Sequence, residues 1–140
     1  MQILDLDKPA PKSRRRAVDY NSKTLALVRS WGYMIAKVEN YNVYSNQKTD
    51  AFGFIDYLCI RDEDTLGLQA CGMDVAPHIT KMTTERRSAV EAWLRCPSRR
   101  LVLIGHRKLK VGEKARKYFP RIVWFTLDER GELVWQEQTT

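Results

Sequence analysis

Nowhere in the 140 residues does an apolar run approach the length needed to span a bilayer, roughly 20 residues for a helix. A membrane partner is therefore not expected. The opening MQILDLDKPAPKSRRR also lacks the order of a secretory signal: acids and prolines come first, and no long apolar stretch follows the basic run. A cytoplasmic location is the expectation. Cysteine is scarce. Cys59, Cys71 and Cys96 are odd in number, far apart and form no CxxC pair, which argues against a disulfide framework or a zinc site. They read as small buried thiols. The only histidines, His78 and His106, show no spacing that marks a metal pair. There is no internal repeat and no Gly-rich phosphate loop.

What the chain has in excess is positive charge, and in one place. The formal net charge is +7, yet residues 95–121 alone hold ten Lys or Arg against one acid, Glu113. Concentrated cations attract polyanions, of which phosphate backbones are the commonest. Tyr118, Phe119 and Trp124 are interleaved with them, a pattern suited to nucleic acid. Arg99, Arg100, Arg107, Lys108, Lys110, Lys114, Arg116 and Lys117 are the expected contacts, presented largely on one surface. A solvated basic face without a ligand is the alternative.

Along the chain, residues 1–17 read as a basic flexible tail, broken by Pro9 and Pro11, and residues 18–140 as a single domain. Asn21 or Ser22 is placed to cap a helix carrying Leu25, Val28 and Trp31, which Gly32 ends. YMIAKVE (33–39) reads as a strand and residues 40–52 as a loop. GFIDYLCI (53–60) and LGLQAC (66–71) read as two strands of an antiparallel hairpin around a short charged turn. After an irregular piece with Pro77, TERRSAVEAWLR (84–95) shows an amphipathic stripe, with Thr83 or Thr84 as its cap. RLVLIGH (100–106) is apolar enough for a strand buried on both faces. Residues 107–120 read as a basic loop or short helix, and 121–137 as a hairpin turned near Asp128–Gly131. Trp93 and Trp124 are expected in the core. This order predicts an α/β fold: a mixed sheet with helices on its faces and a C-terminal β-hairpin.

Over residues 20–107 that order resembles the αβββαβ restriction-endonuclease-like core of the PD-(D/E)xK nucleases, among them Holliday-junction-resolvase-like and VRR-NUC-like phage or bacterial proteins. AFGFIDYLCI supplies the family's first acid as Asp56, and LGLQACG supplies the second-acid position as Gln69. The resemblance implies a Mg²⁺ cofactor held by Asp56, Gln69 and the backbone carbonyl of Ala70, since magnesium favours hard oxygen donors. Such an ion stabilises charge on a scissile phosphate and activates water. The family's lysine falls at Cys71, so Lys81 becomes the candidate cation, and Glu39 or Asp50 the replacement carboxylate. Each of these also has an ordinary structural reading, as a hydrogen-bonded Asp or Gln, a solvated lysine or a loop acid.

The function expected is thus nucleic-acid binding, in the active form as a Mg²⁺-dependent DNA endonuclease or resolvase. A catalytically inactive nuclease-fold scaffold that binds DNA or a partner protein is the alternative, and a homodimer is a further expectation. One geometric requirement is sharp. Side chains alternate along strands, so Asp56 and Gln69 share a face only in an odd register such as Ile60 opposite Thr65.

Overall fold

The computed structural model describes residues 18–38, 40–113 and 115–138, with the side chains of Asn40, Tyr41, Asn42 and Lys48 excepted. The expected tail at 1–17 lies outside the described residues. The first helix, α1 (Tyr20–Ser30), is capped not by Asn21 or Ser22 but by Asp19, whose carboxylate accepts from the Ser22 backbone N–H at 3.0 Å. An aspartate satisfies an otherwise orphaned amine at a helix start and offsets the positive end of the helix dipole. Gly32, at φ 91°, ends α1 one residue past its cap, Trp31.

Strand β1 (Met34–Lys37) follows, and then the stretch read as loop forms its own small hairpin, β2 (Asn40–Asn42) with β3 (Gln47–Thr49). The strand expected from Gly53 begins later, as β4 (Tyr57–Arg61). Residues 51–55 instead close a turn in which Phe52 and Gly53 take φ 55° and 82° and Ala51 bridges Ile55. A two-residue turn at Asp62 and Glu63 leads to β5 (Asp64–Ala70).

The helical region divides into α2 (Val75–Thr83) and α3 (Arg87–Leu94). Pro77 sits in the first turn of α2, where its missing N–H has no partner to lose. Thr83 and Thr84 close α2 rather than open α3. Their hydroxyls donate to the carbonyls of Ile79 and Thr80 at 2.8 and 2.6 Å, the second satisfying an acceptor that the helix end leaves free.

Two long strands, β6 (Arg99–Lys110) and β7 (Arg116–Leu127), and a short β8 (Leu133–Gln138) complete the chain. Most of 107–120 is therefore strand rather than loop or helix. Residues 107–110 and 116–120 are the outer ends of β6 and β7, paired from Arg107 opposite Phe119 to Lys110 opposite Arg116, leaving only a short connection between the two strands. Ladder hydrogen bonds carry the strands past the core, where no apolar pattern announces them.

One six-stranded mixed sheet runs in the order β1-β4-β5-β6-β7-β8, with β5 and β6 parallel and the other neighbours antiparallel. The parallel step requires a crossover, which α2 and α3 supply. On one face Tyr57, Cys59, Leu66, Leu68, Val102, Ile104 and Ile122 cluster with Val28 of α1. On the other, Ile55, Leu101, Leu103, Val123 and Phe125 cluster with Val75 and Met82 of α2 and Val90 of α3. Residues 101–106 are all buried, as the apolar run Leu101–Ile104 requires, with the polar His106 held by the Thr24 hydroxyl at 2.8 Å. Burying each such aliphatic or aromatic side chain contributes about 1.5–3 kcal/mol. Trp93 and Trp124 are only partly buried, each beneath an arginine, Arg99 at 5.4 Å and Arg100 at 4.3 Å from the ring centre.

Among the described residues, no helix is long and apolar enough to cross a membrane.

Candidate functional site

The register of β4 on β5 pairs Ile60 with Thr65 and Tyr57 with Leu68, the odd register that the Asp56–Gln69 juxtaposition needs. Asp56 stands one residue before β4, and its backbone continues the ladder: its N–H donates to Leu68 at 2.9 Å and its carbonyl accepts from Val38 at 3.0 Å. Its side chain faces Gln69 on the α2/α3 side of the sheet. Gln69, only 5% exposed, donates its Nε2 to Asp56 Oδ2 at 3.0 Å, and the Ala70 backbone N–H donates to the same oxygen at 2.9 Å.

Asp56, Gln69 and Ala70 thus come together, but as a carboxylate held by two N–H donors. A carboxylate draws the amide's NH₂ end toward itself. A magnesium ion at the same spot would need the amide oxygen there instead. As arranged, the trio does not present the oxygen donor set that Mg²⁺ requires.

The remaining candidates are scattered. Lys81 is exposed in the last turn of α2, about 9 Å of helix rise beyond Val75 by the 1.5 Å per residue of an α-helix. Its backbone carbonyl accepts from the Arg86 N–H at 3.0 Å, but among the described residues its ammonium makes no hydrogen bond or ion pair. Asp50 is half-buried at the entry to the 51–55 turn, where its carbonyl accepts from the Gly53 N–H at 3.0 Å. Glu39 lies outside the described residues.

Beside Asp56 the fold assembles a group that no spacing rule flagged. Cys71 follows β5, Asp74 caps α2 and His78 lies one turn into that helix. Their Sγ, carboxylate oxygen and ring nitrogen all lie within 4.8 Å of one another, a group able to hold a metal ion. Cys71 is buried, Asp74 exposed and His78 intermediate. His78 Nε2 is 3.2 Å from Asp74 Oδ2. Burial pushes the Cys71 thiol up to about 12, helped by the negative charges of Asp74 and Asp56 and opposed by Arg121. The available signal is C-x₂-D-x₃-H, whose D-x₃-H half puts two donors on adjacent turns of a helix. It acquires meaning only once the chain bends at Gly72 to bring Cys71 alongside.

Arg121 lies on β7 opposite Gly105 and clasps Glu137 of β8 through two contacts, Nε–Oε1 at 2.6 Å and an Nη2–Oε2 bond at 3.2 Å. That pairing holds the Glu137 carboxyl below its usual range. It also leaves a fixed cation near Cys71.

The basic residues fall into two groups. Arg99 and Arg100, at the start of β6, are engaged in packing. Arg99 donates to the carbonyls of Trp93 and Ala92 at 2.8 and 3.2 Å, and Arg100 to the Tyr33 hydroxyl at 3.3 Å. Arg107, Lys108, Lys110, Arg116 and Lys117 are exposed on the outer β6–β7 ribbon. They are not on one surface. Alternation puts Lys108, Lys110 and Arg116 with Tyr118 on the α1 side, and Arg107 and Lys117 with Leu109 and Phe119 on the other. Tyr118 meets Tyr20 of α1 edge-on, with ring centres 5.7 Å apart, and Lys108 lies over the Tyr118 ring at 5.6 Å. Lys114 lies outside the described residues. No family model matches the chain, and no match was found among curated proteins or solved structures.

Proposed function

We propose that this chain is a nucleic-acid-binding protein of the restriction-endonuclease-like fold whose contact element is the β6–β7 ribbon. The observation that carries the reading is the ribbon itself: two paired strands that project five exposed cations, Arg107, Lys108, Lys110, Arg116 and Lys117, beyond the core. A two-stranded ribbon fits the major groove of duplex DNA, which is about 12 Å wide. Cations on both faces of an inserted ribbon meet phosphates on both walls of that groove. The fold assignment is supported by α1, the antiparallel β1-β4-β5 set, the α2–α3 crossover and the parallel β6, which follow the αβββαβ order.

Catalysis is a separate question within this reading. The Mg²⁺-dependent endonuclease or resolvase version requires the Gln69 amide to turn its oxygen toward Asp56, with Ala70 giving its carbonyl. The hydrogen bonds from Gln69 and Ala70 to Asp56 favour the second reading, a nuclease-fold scaffold that binds DNA without cutting it. The test is direct. Purified protein is mixed with branched, single-stranded and duplex DNA in Mg²⁺ or Mn²⁺, and both retention and cleavage are scored. Binding without cleavage is expected. Cleavage by the unmodified protein that disappears in Asp56→Ala establishes the enzyme instead, and failure to bind any DNA at low salt removes the whole proposal.

A further inference from the structure

We propose that Cys71, Asp74 and His78 form a binding site for a borderline-soft divalent ion of the Zn²⁺ class, with a fourth coordination position left open. The site is independent of the nucleic-acid reading, because ion binding and DNA binding are measured separately.

The three donors come from three local structures that converge on one point. Cys71 is the residue at which the chain leaves β5, and its N–H still donates to Ile104 at 3.0 Å. Its Sγ is seated against β6 at Gly105, where an added Cβ would stand 3.0 Å from the sulfur. Asp74 occupies the N-cap of α2 yet makes no side-chain cap hydrogen bond. An N-cap aspartate ordinarily accepts from the second or third helical N–H. Here the carboxylate turns instead to His78 Nε2, 3.2 Å away. So an oxygen and a nitrogen are already aimed at each other beside a sulfur, all within 4.8 Å.

The mixed S, N, O donor set selects the ion. Thiolate and imidazole suit zinc and its neighbours, whereas Mg²⁺ keeps to oxygen. Tetrahedral zinc with bond lengths of about 2.0–2.3 Å sets its ligand atoms roughly 3.5 Å apart. The observed spread asks only for about an ångström of closure. Asp74 and His78 are free to provide it, because their side chains are 62% and 28% exposed. Binding replaces the thiol proton with the metal–sulfur bond and releases that proton to the buffer. Three protein ligands leave one position for water or a ligand oxygen, the arrangement of catalytic rather than structural zinc. Asp56 and Arg121 are the charged neighbours whose fields reach the sulfur.

The experiment uses the full chain, reduced and stripped of metal with a chelator. Co²⁺ is titrated in and read by the thiolate-to-cobalt charge-transfer band and the visible absorption of four-coordinate cobalt; Zn²⁺ is then added. The expected result is one Co²⁺ per chain, displaced by Zn²⁺ and not by excess Mg²⁺. Cys71→Ala should abolish the charge-transfer band. Asp74→Asn and His78→Gln, both at solvent-accessible positions that leave the core intact, should each weaken binding at least tenfold. Cys96→Ala should leave the titration unchanged. Absence of saturable Co²⁺ binding overturns the proposal. So does a band that survives in Cys71→Ala, affinity unchanged in both Asp74→Asn and His78→Gln, or displacement by Mg²⁺ as readily as by Zn²⁺.

Discussion

Adding a single methyl group at Gly105 tests how the strand β6, the start of α2 and Cys71 fit together. A Cβ there would lie 2.2 Å from Val75 Cγ2, 2.9 Å from the Gly72 carbonyl oxygen and 3.0 Å from Cys71 Sγ. Carbon atoms in contact normally stay about 3.5–4.0 Å apart, so Val75 must retreat by more than an ångström. Val75 is fully buried and has nowhere to go. The backbone cannot yield cheaply either, because the His106 N–H is tied to the Gly72 carbonyl at 2.9 Å and the Cys71 N–H to Ile104 at 3.0 Å. Overpacking of this kind costs about 1–3 kcal/mol. Loss of glycine's freedom in the unfolded chain offsets about 0.4–1 kcal/mol of that where the backbone conformation suits alanine. Gly105→Ala should therefore destabilise by about 1–2 kcal/mol, lowering Tm by roughly 3–8 °C for a chain of this size. Urea unfolding followed by tryptophan fluorescence gives the energy directly. Removing the obstructing methyls should restore part of it: Gly105→Ala with Val75→Ala should cost at least about 1 kcal/mol less than the sum of the two single changes. A Gly105→Ala protein as stable as the parent would refute the packing of α2 and Cys71 against β6, and with it the placement of the metal-ligating group.

Two further outcomes follow from titratable groups. His106 is buried, with Nε2 2.8 Å from the Thr24 hydroxyl and its ring stacked on Tyr20; burial, seconded by the charge of Lys23, lowers its pKa. The unfolded chain then takes up this proton first, so stability is full above the unfolded value near 6.5 and declines as pH falls toward the lowered folded value. Urea midpoints measured from pH 7.5 to 5 should show that decline, and His106→Gln should flatten it; an identical slope in the variant contradicts the assignment. Among the thiols, burial raises Cys59 to about 11 and Cys71 to about 12, whereas a hydrogen bond with Ser98 lowers Cys96. A thiol-reactive disulfide reagent at neutral pH should modify Cys96 first, with the other two following only on unfolding; early modification of Cys71 contradicts its burial.

The parts of the fold with a strong local pattern could be read from the residues. The run Leu101 to Gly105 is apolar without interruption, and an Asp56 and Gln69 that share a face demand the odd register that β4 and β5 adopt. What escaped is structure imposed from a distance. The 107–120 stretch is rich in Lys and Arg and reads as loop or short helix, but cross-strand pairing extends 107–110 and 116–120 as strand. Asp19 takes the cap ahead of Asn21 and Ser22 because the helix starts earlier than its apolar stripe. The Cys71–Asp74–His78 group is invisible to spacing rules because its donors come from a strand end, a cap and a helix. Asp56 and Gln69 were legible as a pair, but the direction of their hydrogen bonds was not.

The central claim, that the β6–β7 ribbon contacts phosphates, is tested most directly by the salt dependence of duplex binding. Each phosphate contact releases counterions, so five ribbon cations in contact predict a slope of about −4.5 in log affinity against log salt. Raising monovalent salt about threefold should then weaken binding roughly a hundredfold. Fluorescence anisotropy with a labelled duplex reads this for three proteins: the parent, Lys108→Ala/Lys110→Ala/Arg116→Ala/Lys117→Ala, and Arg99→Ala/Arg100→Ala. The account predicts a slope near −1 for the ribbon variant, by loss of four contacts, and a near-parental slope for the Arg99/Arg100 variant. A parental slope in the ribbon variant, or binding that ignores salt in the parent, contradicts it.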